Sequence, residues 1–235
     1  MSLVQEMYDQ TAAEYRAADE LHIKGDDYLR VRQVLTRISG SFPHPIDVLD
    51  LGCGAGRYFH CLTNVNSLLG VDISQRMLDA AQRPVKADEI CTSNISLRCS
   101  DLMALRLPKD SLDFIYCVGV FGNGCDLTPS LVQNIFGWLR GGGKFFFDCF
   151  AEETFPEKVA QRKKLKAAIY SRLPNSLRQA WDRKTGWPPL FLNTPAKIQA
   201  RLRGAGFDVE SLQTVEALSP LGQVKKIECV AVAPR

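Results

Sequence analysis

Val48-Leu49-Asp50-Leu51-Gly52-Cys53-Gly54-Ala55-Gly56-Arg57 is the stretch on which the fold turns. An apolar run, Ile46 to Leu51, meets three glycines and then a helix-like pattern at Tyr58-Phe59-His60-Cys61-Leu62. Glycine at such a corner permits backbone angles closed to other residues and lets a ligand approach the main chain. Free N–H groups at the start of a following helix suit a carboxylate or a phosphate. The dinucleotide fingerprint G-x-G-x-x-G would place its third glycine at 57. Arg57 stands there instead, and the pattern reads D-x-G-x-G-x-G through Gly56. Asp72 ends the next apolar run, 20 residues after Gly52. A carboxylate there can accept hydrogen bonds from both ribose hydroxyls of an adenosine-containing ligand. Asp101 closes a third run in the same relative position.

Around this corner short apolar runs alternate with helical patterns, which predicts an α/β fold, a parallel sheet covered by helices. The runs are 46–51, 67–72, 95–99, 112–119 and 144–150, and 112–119 is apolar throughout, as in a central strand. An amphipathic start holds Leu3, Val4, Met7 and Tyr15 at helical spacing, and a second helix is expected over 26–38. Ser74 is placed to cap a helix through Met77, Leu78 and Ala81. Thr128 with Pro129 opens another, expected to stop at Gly141-Gly142-Gly143. Residues 151–190 read as helical with no strand; Thr194 with Pro195 then opens a helix that stops at Gly204-Ala205-Gly206. Two closing strands are expected at 207–214 and 224–233, with Pro220 and Gly222 in the connection.

With 235 residues, 46% hydrophobic and 23% charged, the chain suits one globular core and excludes a collagen-like repeat or a disulfide miniprotein. A net charge of +3 argues against a strongly basic nucleic-acid binder. The first twenty residues are polar and acidic, unlike a signal peptide, and no apolar stretch approaches the ~18 residues of a spanning helix. None of the eight cysteines forms a C-x-x-C pair. They lack zinc-site spacing, so no metal is expected; they read as small buried hydrophobes and point to a reducing cytoplasm.

In these motifs the chain resembles class I S-adenosylmethionine-dependent methyltransferases. The likeness rests on residues 48–56, on Gly70-Val71-Asp72-Ile73-Ser74 followed by Met77, and on Ser100-Asp101-Leu102. Gly141-Gly142-Gly143, Leu202 through Gly206-Phe207 and the opening Tyr8-Asp9-x-x-Ala12-x-x-Tyr15 add to it. The resemblance implies a Rossmann-like, doubly wound seven-stranded sheet, mostly parallel with an antiparallel C-terminal hairpin and helices on both faces. It implies a single domain over 1–235, with a helical lid at 1–40, a cofactor-binding core at 41–150, a cover at 151–190 and the last helix and hairpin at 191–235. It also implies roles. Gly52, Cys53, Gly54 and Gly56 would cradle the methionine part of S-adenosylmethionine, with Asp50 near its amino group. Asp72 would hold the ribose and Asp101 the adenine amino group, with Ile73 and Leu102 packed on the ring and Met77 close by. Val118 would line the site near the methyl group, and Tyr15, with Tyr8, would close over the cofactor. S-adenosylhomocysteine would be the product.

An electrophilic methyl group needs an aligned nucleophile and exclusion of water more than it needs a base. A base matters when the acceptor is a hydroxyl of high pKa. The candidates are Asp148 at the end of the fifth run, His22 in the lid and Tyr15; a packed or exposed structural role is open for each. Phe121-Gly122-Asn123-Gly124 lacks the Asn/Asp-Pro-Pro-aromatic run of amino-methylating nucleic-acid enzymes. The segment 151–190 holds nine Lys and Arg against four acids, a net of +5 that leaves −2 for the remainder. Leu165, Ile169 and Tyr170 fall together at helical spacing, a stripe able to pack on the sheet with the charges facing water. Phe155, Trp181 and Trp187 are interleaved with the charges. The segment can also rest on an anionic membrane surface or carrier, or touch RNA phosphates. The reading that follows is a cytoplasmic enzyme methylating O or N of a small-molecule acceptor, apolar or anionic. An RNA or tRNA methyltransferase gripping through the insert, and a cofactor-binding scaffold without turnover, are the competitors.

Overall fold

The computed structural model describes residues 3–186, 188–219 and 222–235. Its strands are β1 (Ile46–Leu51), β2 (Val65–Asp72), β3 (Ile95–Cys99), β4 (Leu112–Phe121), β5 (Leu139–Phe150), β6 (Asp208–Ser219) and β7 (Gly222–Val232). They form one sheet in the order β3-β2-β1-β4-β5-β7-β6. The first five pair in parallel, whereas β7 runs antiparallel to both β5 and β6. Chain direction across the sheet reverses between β1 and β4, so the loop after β1 lies at the switch point where open α/β sheets bind ligands.

Strand alternation sends side chains to two cores. On one face, Leu131, Val132 and Ile135 of α4 (Pro129–Trp138) and Ile198 and Leu202 of α7 (Pro195–Ala205) cover Leu49, Ile115 and Phe145. On the other, Tyr28, Val31, Leu35 and Ile38 of α2 (Asp26–Ser39) cover Val48, Phe114, Tyr116 and Phe146. The remaining helices are α1 (Leu3–His22), α3 (Gln75–Ala81), α5 (Glu157–Arg172) and α6 (Asn175–Thr185). The caps fall where the sequence puts them: Ser74, Thr128 and Thr194 each accept a hydrogen bond from the backbone N–H three residues on.

Four expectations change. The glycine loop opens no α-helix, only a 3-10 turn at Phe59–Cys61, because β2 begins again at Val65 and α2 already packs over this part of the sheet. α4 ends at Trp138, ahead of the glycines: Leu139 adopts an extended backbone and pairs with Leu112, and Gly141-Gly142-Gly143 lie inside β5. The stripe of α5 does not pack on the sheet. Leu165 is 63% and Ile169 44% exposed, while Ala160 and Ala167 make the buried face. Five cysteines are buried, but Cys91 and Cys99 lie at the surface beside the thinly covered edge strand β3, and Cys125 is half-buried. Trp187 and Pro220 lie outside the described residues.

Candidate active site

The loop is built from its own backbone. Gly52, Gly54 and Gly56 all have left-handed φ, +78°, +53° and +79°. The amides of Gly52 and Cys53 donate to the Val71 carbonyl at 2.7 and 3.0 Å, tying the loop to the end of β2. A Cβ at Gly52 would stand 2.3 Å from Val120 Cγ2, so the loop and the end of β4 touch with no room for a side chain. A Cβ at Gly54 would meet nothing within 4 Å: here the main chain faces open space. Cys53 differs from the other loop positions. Its side chain is buried against Gly70, so only its backbone can face a ligand.

Two carboxylates flank this corner beneath the surface. Asp72 accepts the Gly54 amide on one oxygen and the Ser74 amide on the other, each at 2.9 Å. Burial raises its pKa, opposed by those amides. A carboxylate has more acceptor sites than these amides fill, so it can still accept from a ligand hydroxyl. Asp50 is deeper still, and burial pushes its carboxyl up to about 8, against the nearby Tyr116 hydroxyl and together with the Asp72 charge. Asp50 Oδ2 and the Tyr116 hydroxyl are buried with no hydrogen-bond partner among the described residues. A buried carboxylate oxygen left unpaired is costly, and a cationic amine is the group that would satisfy it.

Helix α1 lies across this corner. Asp9 accepts the Ser74 hydroxyl at 2.6 Å, Arg16 Nε donates to the Arg83 carbonyl at 2.8 Å, and Asp19 pairs with Arg57 at 2.5 Å. Asp19 is almost fully buried, and burial raises its pKa in spite of the guanidinium. Tyr8 and Tyr15 meet edge to face at 5.8 Å. The Tyr8 hydroxyl is raised far above its usual value, first by burial and then by Tyr15 and Asp72, and it interacts with Tyr15 and Asn123.

The remaining sequence-derived positions divide. Ile73 is half-buried just beyond β2, Met77 is fully buried on the inner face of α3, and Leu102 is buried beyond the end of β3. Asp101 is exposed and accepts the Met103 amide at 2.8 Å. Val118 is half-buried and packs with the α2-side core, two residues beyond Tyr116. Tyr15 is 37% exposed. His22 is exposed in the last turn of α1, beyond the buried residues that hold the helix down, so the structure does not bring it to the other candidates. Asp148 is buried but not free: Lys226 Nζ pairs with one oxygen at 2.6 Å and the Gly119 amide donates to the other at 2.6 Å.

Sequence reading missed four of these partners. Arg57 could have been flagged, because it takes the place of the third glycine in the dinucleotide pattern. Asp19, Val120 and Lys226 carry no local signal. Lys226 reaches Asp148 only through the antiparallel register that sets Asp148 opposite Glu228 and Phe150 opposite Lys226.

The sheet order, the glycine corner and the acids ending β1 and β2 are those of the class I S-adenosylmethionine-dependent methyltransferases. Residues 48–143 match the family model described as a methyltransferase domain. A malonyl-[acyl-carrier protein] O-methyltransferase of Enterobacter lignolyticus (strain SCF1) is 28% identical over 153 residues, covering 64% of this chain and 54% of that protein. The chain thus spans about half the length of this curated relative. Among solved structures, an S-adenosylmethionine-dependent methyltransferase of Methanosarcina mazei superposes with a TM-score of 0.60 at 16% identity, over 84% of this chain and 97% of that one. The [4+2]-cyclase SpnF superposes with a TM-score of 0.67 at 14% identity, over 98% and 95%. Likeness of that degree establishes the fold alone.

Proposed function

We propose that this chain transfers a methyl group from S-adenosylmethionine to an oxygen of an acceptor that is already ionised at neutral pH, a carboxylate on a small acyl group. The observation that carries this reading is the state of Asp148. The carboxylate best placed to take a proton is held by Lys226 and by the Gly119 amide. The other candidates are not held ready in its place: Tyr15 is 37% exposed and packs edge to face on Tyr8, and His22 is exposed in the last turn of α1. A carboxylate nucleophile has no proton to lose, so it asks only for alignment and a dry site. Similarity to the Enterobacter malonyl-[acyl-carrier protein] O-methyltransferase supports the same chemistry.

The bound cofactor supplies an electrophilic methyl group on a sulfonium. The protein's own residues do the rest. Asp50 would take the amino group on its unpaired oxygen, Asp72 would hold the ribose hydroxyls, and the Gly54 backbone would lie against the ligand where no side chain intrudes. Asp101 would accept from the adenine amino group, with Ile73 and Leu102 against the ring. Helix α1, latched by Asp19 to Arg57 and by Asp9 to Ser74, would exclude water. Residues 188–193 would close the acceptor side, because Leu190 bridges to Asn123 and Asn193 to Ala151 beyond the ends of β4 and β5.

The test is incubation with methyl-labelled S-adenosylmethionine and a malonyl thioester of a short pantetheine analogue. A carboxyl methyl ester releases its label as volatile methanol on mild alkaline treatment. Label that survives alkali, or none transferred to any carboxylate offered, rules the reading out.

A further inference from the structure

The outer side of α5 is not an ordinary solvated face. Lys158, Arg162, Leu165, Lys166, Ile169 and Arg172 are all exposed. At 3.6 residues per turn their spacings of three and four place them on one stripe. The side held against the protein carries Ala160 and Ala167. Four large apolar side chains in α5 and α6 are exposed: Val159 at 40%, Leu165 at 63%, Ile169 at 44% and Leu177 at 53%.

The cations nearby fall into two groups. Lys164 is paired with Glu152 at 2.7 Å, Lys163 lies 4.5 Å over the Phe155 ring, and Arg178 donates to the Tyr170 carbonyl. Those three are structural. Lys158, Arg162, Lys166, Arg172, Arg183 and Lys184 have no ion-pair partner among the described residues. The result is an apolar spot, Leu165 and Ile169 one turn apart, set inside a ring of uncommitted positive charge.

We infer that this stripe is the docking surface for a small acidic carrier protein that presents the acyl acceptor as a thioester, an inference that rests on the function proposed above. Protein interfaces bury an apolar anchor within a polar rim, and opposed charges steer the encounter. A helix lying on a membrane segregates its apolar and charged faces. α5 does the opposite, mixing Leu165 and Ile169 with Arg162 and Lys166 on one side while its other side is occupied by the protein. Recognition of single-stranded RNA commonly stacks bases on aromatic rings. The insert's described aromatics are engaged instead: Tyr170 packs on Trp181 and Phe191 at 6.2 and 6.4 Å and bonds Asp182 at 2.9 Å. The surface also connects to the site, since α6 packs against α1 and the chain returns through Leu190 and Phe191 to the Gly122–Asn123 turn.

The experiment titrates a fluorescently labelled, malonyl-loaded acyl carrier protein at low salt against the wild-type chain, the variant R162E/K166E/R172E and the variant L165S. Methylation of the loaded carrier and of the short malonyl thioester is measured in parallel, and S-adenosylhomocysteine calorimetry checks the fold. The triple variant should bind the carrier about tenfold or more weakly, and lose as much in kcat/KM on the carrier. The short thioester and S-adenosylhomocysteine should be handled as by wild type, and Leu165→Ser should weaken the carrier alone by a smaller factor. Unchanged carrier binding in the triple variant overturns the inference. So does equal loss on both acceptors. Methylation of the short thioester without carrier binding overturns docking and leaves the proposed chemistry standing. Failure to methylate either acceptor brings down both. Tighter binding of vesicles of three parts phosphatidylcholine to one of phosphatidylglycerol, or of a 20-nucleotide RNA, lost in the triple variant, reassigns the stripe and overturns the inference.

Discussion

The corner after β1 and the insert after β5 use charge in opposite ways. At the corner, Asp19, Asp50, Asp72 and Asp148 are all buried; Asp72 and Asp148 meet an amide or an ammonium on each oxygen and Asp19 meets a guanidinium, whereas Asp50 keeps an unpaired oxygen. In the insert, lysines and arginines stand in solvent beside exposed leucine and isoleucine. Buried charge is expensive and tolerates little change, so the first region admits little variation. Exposed charge costs little and can be rearranged freely, so the second can vary without touching the fold.

Variants in the first region should therefore cost far more than variants in the second. The largest effect is expected from Lys226→Met, which strands Asp148 without its cation. Breaking such a pair costs about 3 kcal/mol, read as a fall in urea midpoint, and adding Asp148→Asn should recover part of it. Asp72→Ala should weaken S-adenosylhomocysteine binding by about a hundredfold in calorimetry, as expected when a buried, hydrogen-bonded charge is removed. Gly52→Ala drives a methyl group into Val120 at a left-handed φ, and should lower stability by about 2 kcal/mol with a matching loss of affinity.

A pH titration sharpens the contrast. With Asp50 near 8 in the folded chain and a carboxyl near 4 in the unfolded one, the folded protein holds the extra proton between those values. Stability of the ligand-free protein should therefore fall as pH rises from about 4 to 8, and Asp50→Asn should flatten that slope. Pairing Asp50 with a cationic amine releases the same proton. Cofactor affinity should thus rise toward pH 8, with a binding heat that varies with the ionisation enthalpy of the buffer. The smallest effect is expected in the insert: R162E/K166E/R172E should leave the melting curve within about 0.5 kcal/mol of wild type. A larger loss would mean that the stripe is part of the fold after all.

Much of this architecture is written locally. Ile46–Leu51 and Ile95–Cys99 coincide with the strands expected from their apolar runs, and the capping side chains Ser74, Thr128 and Thr194 act where their spacing puts them. What was illegible depends on distant chain. Whether Tyr58-Phe59-His60-Cys61-Leu62 forms a helix is settled by α2, which fills the space such a helix would need. The glycines at 141–143 look like a helix stop, yet Leu139 is already drawn into the sheet by Leu112. Leu165 and Ile169 carry the spacing of a buried stripe, but two alanines on the other side of α5 pack more closely and take that role. At the site, Asp50, Asp72 and the glycines were legible because the backbone corner requires them. The Asp148–Lys226 pair was not, because strand register is not written in either strand alone.

The shortened crossover after the glycine loop also bears on how such chains can be recombined. Where a helix is missing between β1 and β2, α2 stands in for it, with Leu35 and Ile38 almost without exposure. Each such side chain contributes roughly 1.5–3 kcal/mol by leaving water, and Tyr28 and Val31 add to them. Residues 26–39 are therefore structural masonry, and only α1 before them behaves as a cover. A chimera that borrows its amino-terminal segment from a relative with a full helix after the loop would place two helices in one berth. Graft boundaries belong at the Lys24–Gly25 turn, between cover and core.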